Sequence, residues 1–292
     1  MARIALVTAI AAFALDEDIP PLAEALGEHG IDCEELAWDD TTVSWGRFDA
    51  ALLRSAWDYA ERREDFLDWC GRVGRQTLLL NPEPVVHWNT DKHYLGALAD
   101  AGIAAVESTF IEPGQAPSLL PEWDEFVVKP AIGAGSRDAQ RYRAEERERA
   151  LEHVTRLLDA GRSVLAQPYL AAVDSKGETA LMYFDGHFSH AVRKGPLLRP
   201  GEGPTESLFA PEQIEARKPS RSERALADAV IKTLPGVLDL HHPLLYARVD
   251  LLPSRKGPRL LEVELTEPSL FLAHGKDAAA RMAACVAERL RA

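Results

Sequence analysis

The sequence predicts an α/β protein, and three patterns support this fold class. Short apolar segments alternate with amphipathic ones over residues 3–80, as in a small parallel sheet whose strands are joined by helices. Asp185-Gly186 separates two strand-like segments, which is typical of an antiparallel hairpin. A second pair of strand-like segments flanks a turn at residues 253–258. We therefore expect a parallel unit first and antiparallel strands towards the end of the chain.

The composition limits the classes of function. The 292 residues include 46 acidic and 33 basic side chains, which gives a formal charge of −13, and 46% of them are hydrophobic. These values are typical of a globular chain of about two domains. The acid surplus excludes a protein that coats nucleic acid or an anionic membrane, because both require clustered Lys and Arg. A small anionic ligand in a local basic pocket is compatible with it.

The sequence predicts a cytoplasmic protein. Its cysteines, Cys33, Cys70 and Cys285, are far apart and form no C-x-x-C pattern, so neither a zinc site nor a disulfide framework is expected. No apolar stretch reaches the ~20 residues of a membrane span. Residues 9–15 are apolar and follow Arg3, which is one feature of a signal peptide. A buried first strand that runs into a loop explains the same pattern better.

Periodicity assigns the elements along the chain. Strands are predicted at residues 3–9, 31–38, 50–53, 77–80, 126–128, 164–166, 179–184, 188–193, 244–252 and 259–265. Helices are predicted at residues 20–29, 66–73, 89–101, 145–160, 221–233 and 276–290. Residues 196–219 are rich in Gly, Pro and Glu and are predicted to form a long loop.

The last predicted hairpin carries the most chemical information. Because side chains alternate faces along a strand, Arg248 shares a face with Asp250, and Glu262 shares one with Glu264. A register that pairs Asp250 with Glu262 also pairs Arg248 with Glu264. Three clustered carboxylates repel one another and need a counter-ion, and oxygen ligands of this kind suit Mg²⁺. The alternative is the polar face of a half-exposed sheet.

A glycine loop follows the strand that ends near Lys129. The loop contains Gly133, Gly135 and Ser136. Glycines let backbone N–H groups approach phosphate oxygens, and the lysine adds a point charge. The segment is neither a Walker A motif nor a dinucleotide fingerprint, since it lacks the Gly-Lys-Ser/Thr ending and the third glycine. An ordinary glycine turn is the alternative.

Two further segments are weaker candidates. Lys92 is predicted near the start of a helix, where a cation opposes the helix dipole, so a functional role competes with that of a solvated lysine. Gln167-Pro168-Tyr169-Leu170 follows a strand and has the composition to present backbone groups to a purine, or to serve as a simple connector.

A polar segment follows the predicted strand at residues 50–53. It contains Arg54, Ser55, Trp57, Asp58 and Tyr59. Ligands of α/β sheets bind beyond the carboxyl ends of strands. The segment therefore predicts a site for a zwitterionic substrate, with Arg54 on a carboxylate and Asp58 on an ammonium group. A helix N-terminus capped by Asp and packed by aromatic rings is the alternative.

The order of these motifs resembles that of the ATP-grasp ligases over essentially the whole chain. The resemblance depends on Lys92, Lys129 with its glycine loop, Gln167-Pro168-Tyr169-Leu170, Glu178, Arg193, Arg248-x-Asp250 and Glu262-Val263-Glu264, in that order. It implies an ATP-grasp fold. A small N-terminal parallel α/β domain is expected at residues 1–88, followed by two α+β subdomains, at residues 89–167 and 168–292, that clasp ATP.

The same resemblance implies roles for individual residues. The expected ATP contacts are Lys92 and Lys129 at the phosphates, Gly133, Gly135 and Ser136 in a flexible lid, Gln167, Tyr169 and Leu170 at adenine, and Glu178 at the ribose. Asp174 is a second candidate for the ribose. The metal and catalytic roles fall on Asp250 and Glu262 for two Mg²⁺ ions, Arg193 for the transferring phosphate, and Arg248 for the tetrahedral intermediate.

Glu264 departs from the family pattern. The family usually has Asn at this position, so the role of that amide does not transfer to this chain. A third carboxylate is suited to bind metal or to contact a cationic group of the substrate.

The resemblance is closest to one subgroup, the cyclo-ligases that act on O-ureido-D-serine in D-cycloserine biosynthesis. It rests on the Arg-Ser-x-Trp-Asp-Tyr segment and on the Glu-x-Glu-x-x-x-Pro ending. An ATP- and Mg²⁺-dependent ligase that acts through an acyl phosphate on a small-molecule amino acid is therefore expected. The alternatives are an intermolecular ligase of the glutathione synthetase or D-Ala-D-Ala ligase type and a non-catalytic nucleotide-binding module. A homo-oligomer is compatible with the sequence, and neither nucleic acid nor a membrane is expected as a partner.

Overall fold

The computed structural model describes residues 1–198 and 213–291, and these residues form three sheets. Each sheet is built from one continuous part of the chain. Residues 199–212, in the middle of the predicted loop, lie outside the described residues. Among the helices that are described, we find none with the length and apolar character needed to cross a membrane.

The first sheet is parallel, as predicted for the N-terminal third. Its strands are β1 (Ala2–Thr8), β2 (Ile31–Ala37), β3 (Ala50–Ser55) and β4 (Leu78–Leu80), in the order β2-β1-β3-β4. The nearby helices are α1 (Ile19–Glu28), α2 (Arg63–Val73) and α3 (Glu83–Asn89). Every residue of β3 is buried, because this central strand is covered on both faces.

The second sheet is antiparallel and is covered on one face by a helix. Its strands are β5 (Thr109–Ile111), β6 (Glu125–Pro130), β7 (Gln140–Arg143) and β8 (Val164–Pro168), in the order β5-β8-β6-β7. The helices of this part are α4 (Tyr94–Asp100) and α5 (Arg147–Asp159). Val154 and Leu157 of α5 pack in one core with Phe126 and Val128 of β6. The short strands β5 and β7 were not predicted, because three or four residues are too few to show alternation.

The third sheet is also antiparallel and contains both predicted hairpins. Its strands are β9 (Glu178–Phe184), β10 (His187–Lys194), β11 (Ile214–Ala216), β12 (Tyr246–Leu252) and β13 (Arg259–Glu264), in the order β11-β10-β9-β12-β13. The helices are α6 (Val173–Lys176), α7 (Arg221–Leu238) and α8 (Ala278–Arg289). Asp185 and Gly186 both have positive φ, +48° and +76°, as a two-residue hairpin turn requires.

One predicted helix is two helices in the structure. Residues 89–101 were expected to form a single helix, but α3 ends at Asn89 and α4 begins at Tyr94. Lys92 therefore lies in the turn between them rather than in a helix. Its backbone N–H donates to the carbonyl of Ala131 at 3.0 Å, and the Asp91 carboxylate accepts from the N–H of His93 at 3.1 Å. These contacts replace the helical hydrogen bonds that would have continued the helix.

The C-terminal helix ties the first sheet to the third. Leu22 and Leu26 of α1 share a core with Met282 and Val286 of α8, and β9 contributes Met182 to it. All five side chains are fully buried. Burial of these apolar side chains stabilises the contact between the first and third sheets.

Candidate active site

One cavity is lined by residues of the second and third sheets and by segments that follow β1 and β3 of the first sheet. Its volume is about 630 Å³. The hairpin β12–β13 forms its floor, and the glycine loop after β6 covers one end. Residues 15–18, Trp57 and Tyr59 border the other end. Cavities of this size and of mixed polarity are where small-molecule chemistry takes place in α/β proteins.

The hairpin has the register in which the charged residues cluster. Asp250 pairs with Glu262, and Arg248 pairs with Glu264. One oxygen atom from each of Asp250, Glu262 and Glu264 can be chosen so that the three lie within 4.8 Å of one another. The carboxylates therefore form a cluster, and the alternative of a half-exposed polar face does not apply, because Arg248 and Asp250 are buried.

Arg248 holds this cluster together. Its Nε donates to Asp250 Oδ1 at 3.0 Å and its Nη2 to Asp250 Oδ2 at 2.9 Å. The guanidinium also donates to Glu264 and, at 3.1 Å, to the carbonyl of Ser269. Burial alone would raise the pKa of Asp250, but Arg248 and Lys194 outweigh it and hold that pKa below its ordinary value. The Asp250 side chain is thus an anion in a buried setting.

The donor set fits Mg²⁺. Three carboxylates offer oxygen atoms within a few ångströms, which is the ligand chemistry that this ion prefers. Burial would raise the pKa of Glu262, yet Lys129 and Lys92 outweigh it and lower that pKa. Asp250 and Glu262 are therefore ionised and available as ligands.

Two further carboxyl groups of the cavity, those of Glu264 and Glu267, have raised rather than lowered pKa values. Burial raises the pKa of Glu264 to about 7, although Arg248 acts in the opposite direction. Burial and the nearby Glu264 raise the pKa of Glu267 to about 8. Both groups lie where a bound cation would stabilise their ionised forms.

The cations predicted for the phosphates face the same cavity. Lys92 and Lys129 both line it, and Lys92 Nζ donates to the carbonyl of Gly133 at 2.7 Å. Burial lowers the pKa of Lys129, while Glu262 acts against that effect. Lys92 was predicted to lie in a helix and lies in a turn instead, but its side chain still reaches the cavity beside the glycine loop.

The glycine loop lies over the cavity, as expected. Gly133, Gly135 and Ser136 line it, and φ is +62° at Gly135 and +60° at Ser136. Gly135 adopts this left-handed conformation without the steric cost that a Cβ adds. Arg137 of the same loop forms an ion pair with Glu61, close to the end of the first sheet. The loop therefore bridges the two parts of the molecule that border the cavity.

The prediction for Arg193 needs a correction. Arg193 does not line the cavity; its Nε donates to the carbonyl of Lys176, and its guanidinium faces Glu215. Lys194 points into the cavity instead, with Nζ 3.0 Å from Glu178 Oε1 and 3.5 Å from Asp250 Oδ2. Neighbouring residues of a strand point to opposite faces, so only one of the two can reach the ligand. Sequence reasoning missed Lys194, which pairs in register with Glu178.

We expect Lys194→Ala to lower kcat/KM by about 10²-fold and Arg193→Ala to change it less than about threefold. The reason is that a buried cation beside the carboxylate cluster stabilises phosphate charge, whereas a cation on the other face does not. ADP release under saturating Mg²⁺ measures both variants. A larger loss for Arg193→Ala than for Lys194→Ala would reverse the assignment.

The segment that was predicted to contact adenine lines the cavity. Gln167, Tyr169 and Leu170 line it, and Gln167 Nε2 donates to Ser108 Oγ at 3.0 Å. The Arg141 guanidinium lies 3.5 Å from the centre of the Tyr169 ring and fixes its orientation.

The structure separates the two ribose candidates. Glu178 lines the cavity. Asp174 does not line it, and its carboxylate accepts from Arg141 at 3.2 Å and from the Tyr169 hydroxyl at 2.5 Å. Glu178 is thus the candidate that geometry favours.

The predicted substrate segment begins within β3, at Arg54 and Ser55, and is only partly in the cavity. Trp57 and Tyr59 line it, whereas Arg54, Ser55 and Asp58 do not. Asp58 accepts from Trp38 Nε1 at 2.9 Å and pairs with Arg62. A direct substrate contact by Asp58 is therefore not supported. Its contacts with Trp38 and Arg62 are structural, as in the alternative interpretation of this segment.

Arg54 is buried below the cavity. Its side chain has no exposed surface, and its Nη2 donates to the carbonyl of Pro268 at 2.8 Å. Asp16 and Asp18 lie 3.7 and 3.8 Å from its guanidinium. Because β3 is central and covered on both faces, a polar residue near its end is enclosed rather than presented to a ligand. Arg54 supports the segment after Pro268 instead of touching a substrate.

Two polar residues hold the outer edge of β13, and sequence reasoning missed them. Asn89 Nδ2 donates to the carbonyl of Val263 at 2.7 Å, and its Oδ1 accepts from the N–H of Leu265 at 2.7 Å. The Tyr94 hydroxyl donates to the Val263 carbonyl and accepts from the Val263 N–H, both at 3.0 Å. β13 is an edge strand, so these side chains satisfy groups that a further strand would otherwise pair. They fix the strand that carries Glu262.

Three comparisons with known proteins all find similarity to DcsG proteins. A family model described as the N-terminal domain of D-cycloserine synthetase DcsG matches residues 4–81. The cycloserine biosynthesis protein DcsG of Streptomyces lavendulae is 42% identical over the full length of both chains. A crystal structure of D-cycloserine synthetase DcsG superposes with a TM-score of 0.93 at 42% identity, covering 99% of this chain and 100% of that one.

A more distant likeness concerns the fold alone. The D-alanine–D-alanine ligase from Bacillus anthracis, complexed with ATP, superposes with a TM-score of 0.69 at 15% identity. The match covers 100% of this chain and 98% of the ligase. All three sheets therefore belong to one shared architecture.

Proposed function

We propose that this chain, which belongs to the DcsG family of ATP-grasp ligases, cyclises O-ureido-D-serine to D-cycloserine with consumption of ATP. As a member of this family the chain is a ligase acting on small molecules. The observation that carries the proposal is the cluster of Asp250, Glu262 and Glu264 around Arg248 on the floor of the cavity. Such a cluster suits transfer of a phosphoryl group to a carboxylate.

The proposed first step is formation of an acyl phosphate. An oxygen of the substrate carboxylate attacks the γ-phosphorus of ATP, the bond from that phosphorus to the β,γ-bridging oxygen breaks, and ADP leaves. Lys129 and Lys194 stabilise the phosphate charge in a buried setting, where each cation acts more strongly than in water. Asp250, Glu262 and Glu264 would hold Mg²⁺, which we propose as two ions, and when bound it neutralises charge on the phosphate oxygens.

The proposed second step closes the ring. The ureido nitrogen next to the side-chain oxygen attacks the acyl carbon, loses its proton, and displaces inorganic phosphate. Arg248 stabilises the oxyanion of the tetrahedral intermediate, since its guanidinium lies beside the cluster where the carboxyl carbon would sit. Hydrolysis of the carbamoyl group then releases CO₂ and ammonia. Attack within one molecule benefits from proximity, so the cavity mainly has to fold the substrate correctly.

A single-substrate assay tests this proposal. ADP release is measured with ATP, Mg²⁺ and one amino acid at a time, from a panel of D- and L-amino acids that includes O-ureido-D-serine. We expect ADP release with O-ureido-D-serine alone, together with formation of D-cycloserine. If ADP release requires a second amine, the chain is an intermolecular ligase. If ATP binds but no member or pair of members supports ADP release, the non-catalytic alternative holds.

A further inference from the structure

Glu267 is a buried carboxyl group that no step above uses. It lies just after β13 on the wall of the cavity, and only 8% of its surface is exposed. Trp57 Nε1 donates to its backbone carbonyl at 3.0 Å, which fixes the peptide. Within residues 1–198 and 213–291, no other residue donates a hydrogen bond to the Glu267 carboxylate.

The other buried acids at this end of the cavity have cationic partners. Glu264 accepts a hydrogen bond from Arg248. Asp16 lies 3.7 Å from the guanidinium of Arg54. Glu267 has no such partner among the described residues, and burial beside Glu264 raises its pKa to about 8. A buried carboxyl group without a counter-charge is unfavourable until a cation binds to it.

The place of Glu267 relative to the reacting group is chemically informative. Glu267 lies in the chain between Glu264 and Ser269, and Arg248 donates hydrogen bonds to both of those residues. Glu267 and Arg248 also line the same cavity, so Glu267 lies close to the end of the site where the substrate carboxylate reacts. In an α-amino acid the ammonium group is bonded to the carbon next to the carboxylate. A substrate whose carboxylate lies beside Arg248 therefore presents its ammonium group within a few bond lengths.

We infer that the Glu267 carboxylate binds the α-ammonium group of the amino-acid substrate and so selects amino acids over carboxylic acids that lack this group. The inference rests on the proposed function, because it takes the substrate carboxylate as the reacting group. Glu267 is thereby a specificity-determining residue, held in place by Trp57. The charge-assisted hydrogen bond forms only when the substrate binds.

The experiment compares O-ureido-D-serine with its des-amino analogue, 3-(ureidooxy)propanoic acid, on wild type and on Glu267→Gln. We expect the wild type to bind the amino substrate about 10- to 100-fold more tightly than the analogue, as loss of a charged hydrogen bond predicts. In Glu267→Gln the KM for the amino substrate should rise by the same factor, while the KM values for ATP and for the analogue stay within about twofold. Glu64→Gln, whose side chain is 89% exposed, is the matched control and should resemble the wild type.

Each outcome decides the inference. Discrimination of less than about threefold by the wild type overturns it without any variant, so a misfolded Glu267→Gln would not prevent the test. Equal weakening of both compounds in the variant also overturns it, because that result indicates a general structural role. If the wild type does not turn over O-ureido-D-serine, the proposed function fails separately. The same comparison is then made with the amino acid that supports ADP release and its own des-amino form.

Discussion

Replacement of Glu262 by Gln is expected to lower kcat by about 10³-fold or more and to leave the fold intact. Glu262 lies opposite Asp250, and Lys129 and Lys92 lower its pKa despite burial. It is thus the most firmly ionised of the carboxylates on β13. Removal of its charge weakens the metal site and leaves neighbouring cations without their counter-charge, which costs several kcal/mol in the transition state.

Two readouts test the effect of Glu262→Gln, and a purely structural role of Glu262 would not change both of them. The first is ADP release as a function of Mg²⁺ concentration, and the second is direct titration of the variant with Mn²⁺ monitored by its paramagnetic signal. Circular dichroism reports whether the fold is kept. Glu215→Gln in β11 is the matched control, since its side chain is on the same sheet but outside the cavity. Full activity of Glu262→Gln would contradict the metal assignment.

The hairpin was predictable because its information is local. Alternation along each strand places Arg248 with Asp250 on one face and Glu262 with Glu264 on one face. A register that pairs Asp250 with Glu262 was therefore one that the sequence allowed, and the structure adopts it. The same holds for the hairpin at Asp185-Gly186, where the turn chemistry alone fixes the connection.

Other parts of the site depend on contacts between distant segments. The choice between Arg193 and Lys194 requires the face of β10 that meets the cavity, and both residues are polar, so periodicity does not mark it. Arg54 ends an apolar strand, but whether such a residue is enclosed or presented depends on which elements cover the sheet. Asn89 acts on β13 across 174 residues of sequence. Each of these contacts joins segments that are far apart in the sequence, so no pattern within one segment predicts it.

Replacement of Arg248 by Lys is expected to lower kcat by about 10² to 10³-fold with little change in the KM for ATP. The guanidinium makes three hydrogen bonds to Asp250 and further ones to Glu264 and to the Ser269 carbonyl. A lysine keeps the charge but not the planar fork, so it cannot serve these partners and the oxyanion together. Loss of one donor at an oxyanion costs about this factor.

The same substitution should also lower the free energy of unfolding by about 1–3 kcal/mol, because buried carboxylate oxygens lose donors. Urea titration measures this effect, and steady-state kinetics separates kcat from KM. Arg259→Lys, on β13 but outside the cavity, is the matched control and should change neither quantity. If Arg248→Lys lowered stability while kcat stayed within about threefold, Arg248 would be a structural anchor of Asp250 and not the group that stabilises the intermediate. A large loss in kcat combined with unchanged KM for ATP, in contrast, requires a role in the reaction step itself, since ground-state binding of the nucleotide is preserved.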